Sequence, residues 1–563
     1  MGKAIESRQK ARRPHLFFVA AGVALSLGRE GRADSIYWQG VVGNWFNANN
    51  WFDNNNGLDQ VPGGSDSASI ENGGTAQISS GSADDSELVV DFGSAFVLTG
   101  NGSLSTGQGS GEYVGNSGTG IFNQSGGTNG CVSLALGYYT DATGTYVLSG
   151  TGSLAASGNE NVGAAGGLGI FNQSGGTNIS GTVSLGGGGE GIIYQSGGTS
   201  ASSSETLGAG GGGGTVYQSG GVNTINGGLG ILSGTYSLSS TGSLSAINEV
   251  VGNGTLSQTG GTNTSVQEQV GGIYNQTGGS SSTGNLSISL NSGSVGTFNL
   301  TGGTATASNV YVGGSFMGPG GTGFLTVSNA GQLSVPGNFR VWSSGQANLD
   351  VPDTTVGNLS IVGKGIVNLN GALQINFDAP ANDPISTIVG YLQTGYNGGT
   401  WTGTLGIIST NAAAGGRVTT LGYLDGNIDT TDSAVVGPNQ ILIKYTLVGD
   451  ANLDGVVNFT DFAIVLKNFG QAGTDWAQGN FEYAANSPSI QGTNFNDFAD
   501  VLKNFLQPLP GGGGAETIGD TIQPLATTIQ VAATSLPEPT SLSLLAAGAV
   551  GLLRRTRKTK TKT

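Results

Sequence analysis

The body of this chain is almost without the side chains that most chemistry needs. It has one histidine, His15, and one cysteine, Cys131. With so few, a His-dependent triad, a zinc site and an intramolecular disulfide are excluded beyond the leader, and Cys131 reads as a small buried residue rather than a reactive thiol. Positive charge is equally scarce. Of 19 Lys plus Arg, seven lie at or before Arg32 and six at or after Arg554, which leaves six between them against 33 acids. A formal charge near −27 over that body repels nucleic acid and anionic membrane surfaces, so neither is expected as a partner, and it suits a soluble matrix component bathed in cations.

What basic residues there are mark the two ends. Lys3, Arg8, Lys10, Arg12 and Arg13 precede an apolar stretch from Leu16 to Leu27, and Gly31-Arg32-Ala33 supplies the small residues a signal peptidase prefers, so residues 1–33 read as a signal peptide cleaved after Ala33. At the other end Leu536-Pro537-Glu538-Pro539 is followed by an uncharged run from Thr540 to Leu553 and then Arg554-Arg555-Thr556-Arg557-Lys558. That run is shorter than the roughly 20 apolar residues of a spanning helix. These residues resemble the PEP-CTERM tails of exported bacterial proteins. The resemblance implies a short hydrophobic helix held transiently in the inner membrane over 536–563, recognition by an exosortase-type transpeptidase, and a final location at the cell surface or in the extracellular matrix. An ordinary short tail anchor is the alternative.

Glycine, in contrast, is abundant, with 106 residues, and much of it falls in a repeat. Ile121 to Asn129 reads IFNQSGGTN, Ile170 to Asn178 repeats it letter for letter, and YQSGG recurs at Tyr194 and Tyr217. Further copies centre on Gln258, Gln276 and Leu300, with weaker ones at Leu98, Leu148 and Leu238, at spacings of 18 to 26 residues. Each unit alternates an apolar with a small polar residue and breaks at Gly-Gly, where glycine permits positive φ at a tight corner. Units too small to bury a face alone stack into a solenoid. Residues 96–345 are therefore predicted to form a parallel β-solenoid, with right-handed coiling the expected sense. Low-complexity disorder is the compositional rival, but apolar residues returning at fixed phase argue for order. The matched Asn and Gln could ladder between coils or simply face solvent; both roles are open.

A solenoid needs protected ends. Residues 34–95 hold Trp38, Trp45 and Trp51, an aromatic-rich segment like the opening of bacterial surface β-helix proteins, read as a cap over the first coil; sugar stacking on exposed tryptophan is the alternative. Catalysis on the rod would need clustered carboxylates. Between residues 101 and 340 the acids are Glu112, Asp141, Glu160, Glu190, Glu205, Glu249 and Glu268, with Arg340 the one base, and they read as scattered singly with no partner recurring at coil spacing. The expectation is a non-enzymatic rod. The glycine run 208–214 lacks the Lys and the strand–helix setting of a nucleotide loop.

Beyond residue 345 the periodicity fades, and 346–447 is predicted to be a compact β-rich domain. Next comes the most specific motif. In Asp450-Ala451-Asn452-Leu453-Asp454-Gly455-Val456-Val457-Asn458-Phe459-Thr460-Asp461, oxygen donors stand at loop positions 1, 3, 5, 9 and 12 with glycine at 6. An EF-hand loop surrounds calcium with those side chains and the position 7 carbonyl, here Val456. Asp450, Asn452, Asp454, Val456, Asn458 and Asp461 are the expected calcium ligands. The segment Asp461 to Phe469 recurs at Asp497 to Phe505 with eight of nine residues identical, each with the apolar spacing of an amphipathic helix. Asp at position 12 and this loop–helix duplication over 448–506 resemble dockerin type I repeats, which implies two packed loop–helix units and a cohesin-like partner. The second loop departs from the pattern: Asn480 stands in first place, Glu482, Asn494 and Asp497 are candidate donors, and Ala484 falls where an acid belongs. Positions 10 and 11, polar where dockerins meet cohesins, are Phe459-Thr460 and Phe495-Asn496, which leaves an intramolecular calcium-stabilised module as the other reading. Residues 507–535, rich in Pro, Gly and Thr, form a flexible linker.

The sequence thus leads to an exported, mainly β structural or adhesion protein associated with extracellular polysaccharide. A polysaccharide-active β-helix enzyme and a cohesin-docked subunit are the competing functions.

Overall fold

The computed structural model describes residues 33–428, 435–483 and 492–510. The chain is mainly β, and its body is a parallel β-solenoid of about 13 turns. A turn begins with a short strand carrying the repeat motif, rounds a glycine corner, and continues as a longer strand bent in its middle. Thr143–Leu148, for example, lies in register between Thr119–Gln124 and Leu168–Gln173, and Ser153–Val162 pairs with Thr177–Leu185 with a shift between Ala156 and Asn159. Alternation fills the interior: Phe96, Phe122, Tyr146 and Phe171 stack up one inner row at ring separations of 4.7, 4.5 and 5.4 Å, all buried.

The corner explains the Gln-x-Gly-Gly motif. Gly127 has φ of 69°, and a Cβ there would lie 2.1 Å from the Gly102 carbonyl oxygen of the preceding turn, so conformation and space both demand glycine. Gln124 is buried and its Nε2 donates to the Gly127 carbonyl of its own corner at 3.2 Å and to the Ser153 carbonyl of the next turn at 2.9 Å. Gln218, Gln258 and Gln276 make the same two bonds. The repeated glutamines therefore staple successive corners from inside. Asparagines do form an outer ladder: Asn309 to Asn285, Asn338 to Asn309 and Asn358 to Asn338 are joined at 3.0, 2.9 and 3.2 Å.

Parallel pairing extends past 96–345 on both sides. It starts with Ser35–Trp38 against Ser67–Ile70 and ends with Ile366–Leu369 against Gly406–Ile408. Inward alternation persists there through Ala347, Leu349, Val367 and Leu369, but without the Gln and Gly-Gly that make a repeat visible. Trp38, Trp45 and Trp51 are buried in the first turn, edge to face at 4.9 and 4.6 Å, where they close the end of the core and offer no face to a sugar.

At the other end the pairing changes sense. Ala372–Asn376 is parallel to Thr354–Ile361 on one side and antiparallel to Gln440–Leu447 on the other, and Gln440–Leu447 is antiparallel to Thr419–Asp425. Helix α1 (Ile385–Tyr396) and the short α2 (Thr410–Ala414) pack on this end, followed by α3 (Phe459–Asn468) and α4 (Phe495–Asn504). The region predicted as two domains, 346–447 and 448–506, shares one core: Tyr483 donates to the Leu421 carbonyl at 2.7 Å, Asn504 to the Val418 carbonyl at 3.3 Å, and Trp476 lies buried beside Gly422. No helix among the described residues is long and apolar enough to cross a membrane; the signal peptide before Ala33, most of the linker and the tail with Pro537, Glu538, Pro539, Arg554 and Arg555 lie outside the described residues.

Trp45→Ala is expected to cost about 3–5 kcal/mol and to act locally, because each turn contacts only its neighbours. Amide hydrogen exchange should quicken in Ser35–Trp38 and Ser67–Ile70 and stay unchanged in the central turns.

Candidate functional sites

The expected calcium loop leaves the strand Gln440–Leu447 and enters α3. Asn458 caps the helix, its Oδ1 accepting from the Thr460 N–H at 2.7 Å. Asp461 reaches back, Oδ2 to the Asn458 N–H and Oδ1 to the Ala451 N–H, both at 2.8 Å, and so ties position 12 to the loop's start. Gly455, at φ of 92°, makes the turn and donates to Asp450 Oδ2 at 3.0 Å. Asp454 Oδ1 accepts from the Val456 N–H, and Asn458 Nδ2 reaches the Val456 carbonyl. Asp450 and Asp461 are buried, and Asp450 Oδ1 has no partner at all.

Burial pushes the Asp450 carboxyl up to about 7, with Asp461 and Asp454 adding to the rise against the Thr446 hydrogen bond. Burial likewise raises Asp461 to about 6. These groups repel one another at neutral pH and one of their oxygens is orphaned, so the donor set fits a hard cation. Among the described residues no three His, Cys, Asp or Glu side chains converge closely enough to hold a metal by themselves; the loop would have to draw on the Asn452 and Asn458 amides and the Val456 carbonyl as well.

The second repeat copies the frame but has no acid in the first position. Asp497 accepts from the Phe481 and Asn494 N–H groups at 2.8 Å each, as Asp461 does from Ala451 and Asn458, so Asn480 occupies the place of Asp450. Glu482 Oε2 is buried without a partner. Ala484 lies outside the described residues. Between the repeats, Phe462 meets Phe498 at 5.2 Å, while Phe459 packs on Phe505 and Phe495 on Phe469 at 5.0 and 4.8 Å. The phenylalanines at position 10 thus join the two repeats to each other, although each remains 68% exposed.

Comparison with protein-family models, with curated proteins and with solved structures finds no match to this chain.

A second polar assembly was missed in the sequence, and it corrects the reading of the rod's acids as partnerless. Glu112, Glu160, Glu205, Glu249 and Glu268 are buried in one interior row. Each of the first four accepts from an asparagine on the next turn: Asn129, Asn178, Asn223 and Asn263 donate Nδ2 to Oε2 at 2.9, 2.9, 2.9 and 3.0 Å. In three of the units the network runs on, from asparagine Nδ2 to a tyrosine on the following turn and from its hydroxyl to the corner glutamine. Tyr146 to Gln124, Tyr236 to Gln218 and Tyr274 to Gln258 measure 2.6, 2.7 and 2.6 Å. In the fourth unit Ile193 holds the tyrosine position, and a cavity of about 20 Å³ opens beside Asn178, Ser202 and Glu205. The partner lies 14 to 18 residues downstream across a corner, so a Glu–Asn spacing recurring at every second turn was the available signal.

Burial pushes Glu112, Glu160, Glu205 and Glu249 up to about 7, against the pull of the asparagine hydrogen bonds. It also raises the Cys131 thiol, with Glu112 and Glu160 adding to the effect, so this cysteine has little thiolate character. A polar groove of about 440 Å³ opens beside α4, with Tyr396, Arg417, Glu482, Asp500 and Lys503 on its walls.

Replacing Asp450 and Asp454 together with alanine should remove the tighter calcium site. Titration calorimetry should show stoichiometry falling by one; unchanged stoichiometry would refute the loop assignment.

Proposed function

We propose that this chain is an exported, non-enzymatic structural or adhesion protein of the cell surface or extracellular matrix. A stiff solenoid carries the length, a calcium-stabilised pair of loop–helix units seals its far end, and a PEP-CTERM tail hands it to an exosortase-type enzyme. The observation that carries this reading is the placement of the rod's acids: of the seven between residues 101 and 340, five are buried in the core as structural groups, and Asp141 and Glu190 alone are exposed. A rod whose carboxylates are spent on its own interior has few left for cleaving a glycosidic bond. The acidic surface disfavours anionic membranes and suits a cation-bridged polysaccharide matrix.

For the helical module, the reciprocal phenylalanine packing supports the intramolecular reading over a cohesin-docked subunit. The groove beside α4, with a tyrosine ring and groups of both charges, suits saccharide hydroxyls and is where association with polysaccharide would be sought first.

Deleting residues 536–563 should release the protein to the medium; retention on cells would show that the tail is not the sorting signal. The secreted form, incubated with acidic polysaccharides, should bind without generating new reducing or unsaturated ends. Appearance of such ends would establish the lyase or hydrolase alternative, and calcium-dependent capture of a cohesin the subunit alternative.

A further inference from the structure

The interior glutamates pose a chemical problem that the hydrogen bonds already described leave unsolved. In the Glu160–Asn178 and Glu249–Asn263 pairs the amide Nδ2 donates to carboxyl Oε2, while the two remaining oxygens, glutamate Oε1 and asparagine Oδ1, are both buried and both without a partner. Glu205 Oε1 is orphaned in the same way beside Asn223. An acceptor buried without a donor costs roughly 1–3 kcal/mol, and two such acceptors side by side are worse. A primary amide and a carboxyl group have matched outlines, each with two polar atoms at the fork. When the N–H on the Oδ1 side makes that bond, the other two atoms stand face to face. Two bare oxygens cannot stay there; an O–H and an oxygen can.

We propose that Glu160, Glu205 and Glu249 are proton-binding sites inside the rod, each holding a hydrogen on Oε1 and donating it to Oδ1 of its own asparagine, so that acid and amide close a two-bond ring. The ring joins two successive turns. Through asparagine Nδ2 it continues in the Glu205 and Glu249 units to Tyr236 or Tyr274 on a third turn and to the glutamine staple. The groups around these carboxyls bear out the need for neutrality. Glu160 faces Asn178, Cys131, Tyr146, Glu205 and Ser180, whose hydroxyl also approaches it as a hydrogen-bond donor; Glu205 faces Asn223, Tyr236 and Glu160; Glu249 faces Asn263, Tyr236, Tyr274 and, on the adjacent turn, Glu268. None of these is a base, and Arg340 is the sole Lys or Arg between residues 101 and 340. Glu112 differs, because Thr106 already donates to its Oε1.

The pH consequence has a definite sign. An unfolded glutamate titrates near 4.5 and these near 7, so between those values the folded rod binds more protons than the unfolded chain and its stability falls as pH rises. Below about 4.5 the contribution is complete, and above about 7 it has been lost. The rod is built to be firmest in mild acid.

Glu160→Gln, Glu205→Gln and Glu249→Gln, combined in the full-length chain, test this directly. Glutamine keeps the outline and donates a permanent N–H to asparagine Oδ1, so the ring survives without a titrating proton. Thermal melting of the variant should match the parent at pH 5 and exceed it at pH 8. A variant no more stable than the parent at pH 8 overturns the proposal. Infrared spectra of the parent chain labelled with ¹³C-glutamate provide a measurement independent of how the triple variant folds. At pH 6, where a solvated glutamate is ionised, a protonated-carboxyl carbonyl band should persist and should weaken in the single variant Glu205→Gln. Absence of that band, or its indifference to the substitution, also overturns it.

Discussion

Each turn of this protein lies in register on the one before, at the strand spacing of about 4.8 Å, and everything else follows from that stacking. A residue at a given phase meets its own counterpart above and below, so every interior row is a column. An apolar column needs only to be filled. A polar one must be answered by its neighbours, since water does not reach it. The glutamine staples and the Glu–Asn–Tyr–Gln units are two answers to that demand; both work by crossing between turns, as the asparagine ladder does on the outer face.

Much of this was legible in the sequence. The Gly-Gly corners and the returning Phe, Tyr, Ile and Leu announced a solenoid because glycine at positive φ and inward alternation are both local properties. What was not legible depends on neighbours distant along the chain. The role of Gln124 and Gln218 stays open until Ser153 and Ser243 are seen to lie above them. Glu160 reads as a lone acid, and a charged residue alone is almost never buried; Asn178, which makes its burial tolerable, is distant in the chain. Past residue 345 the parallel ladder continues unannounced, for Val367 and Leu369 fill the core without the motif that would betray it.

The C-terminal repeats show the converse. Their helices were plain in the duplicated segment, and the structure adds that the loop frame is the same in both copies down to the two N–H groups that Asp461 and Asp497 each receive. The copies differ in their loops: Asn480 stands for Asp450, Glu482 for Asn452 and Ala484 for Asp454, and the second loop is longer. The copied geometry reflects the demands of a helix N-terminus, and only the first copy has an acid, Asp450, in the first loop position.

The interior row that holds the glutamates reads, turn by turn, Glu112, Leu134, Glu160, Val183, Glu205, Leu229, Glu249. Acid alternates with aliphatic, so like groups stand two turns apart, and only at Glu249 and Glu268 do they become adjacent. Excising a single coil within this stretch would either set two acids side by side or leave an asparagine facing an aliphatic residue in place of its acid. Lengthening or shortening the rod without penalty therefore requires changes in pairs of coils: its unit of inheritance is the double turn, although its unit of shape is the single one.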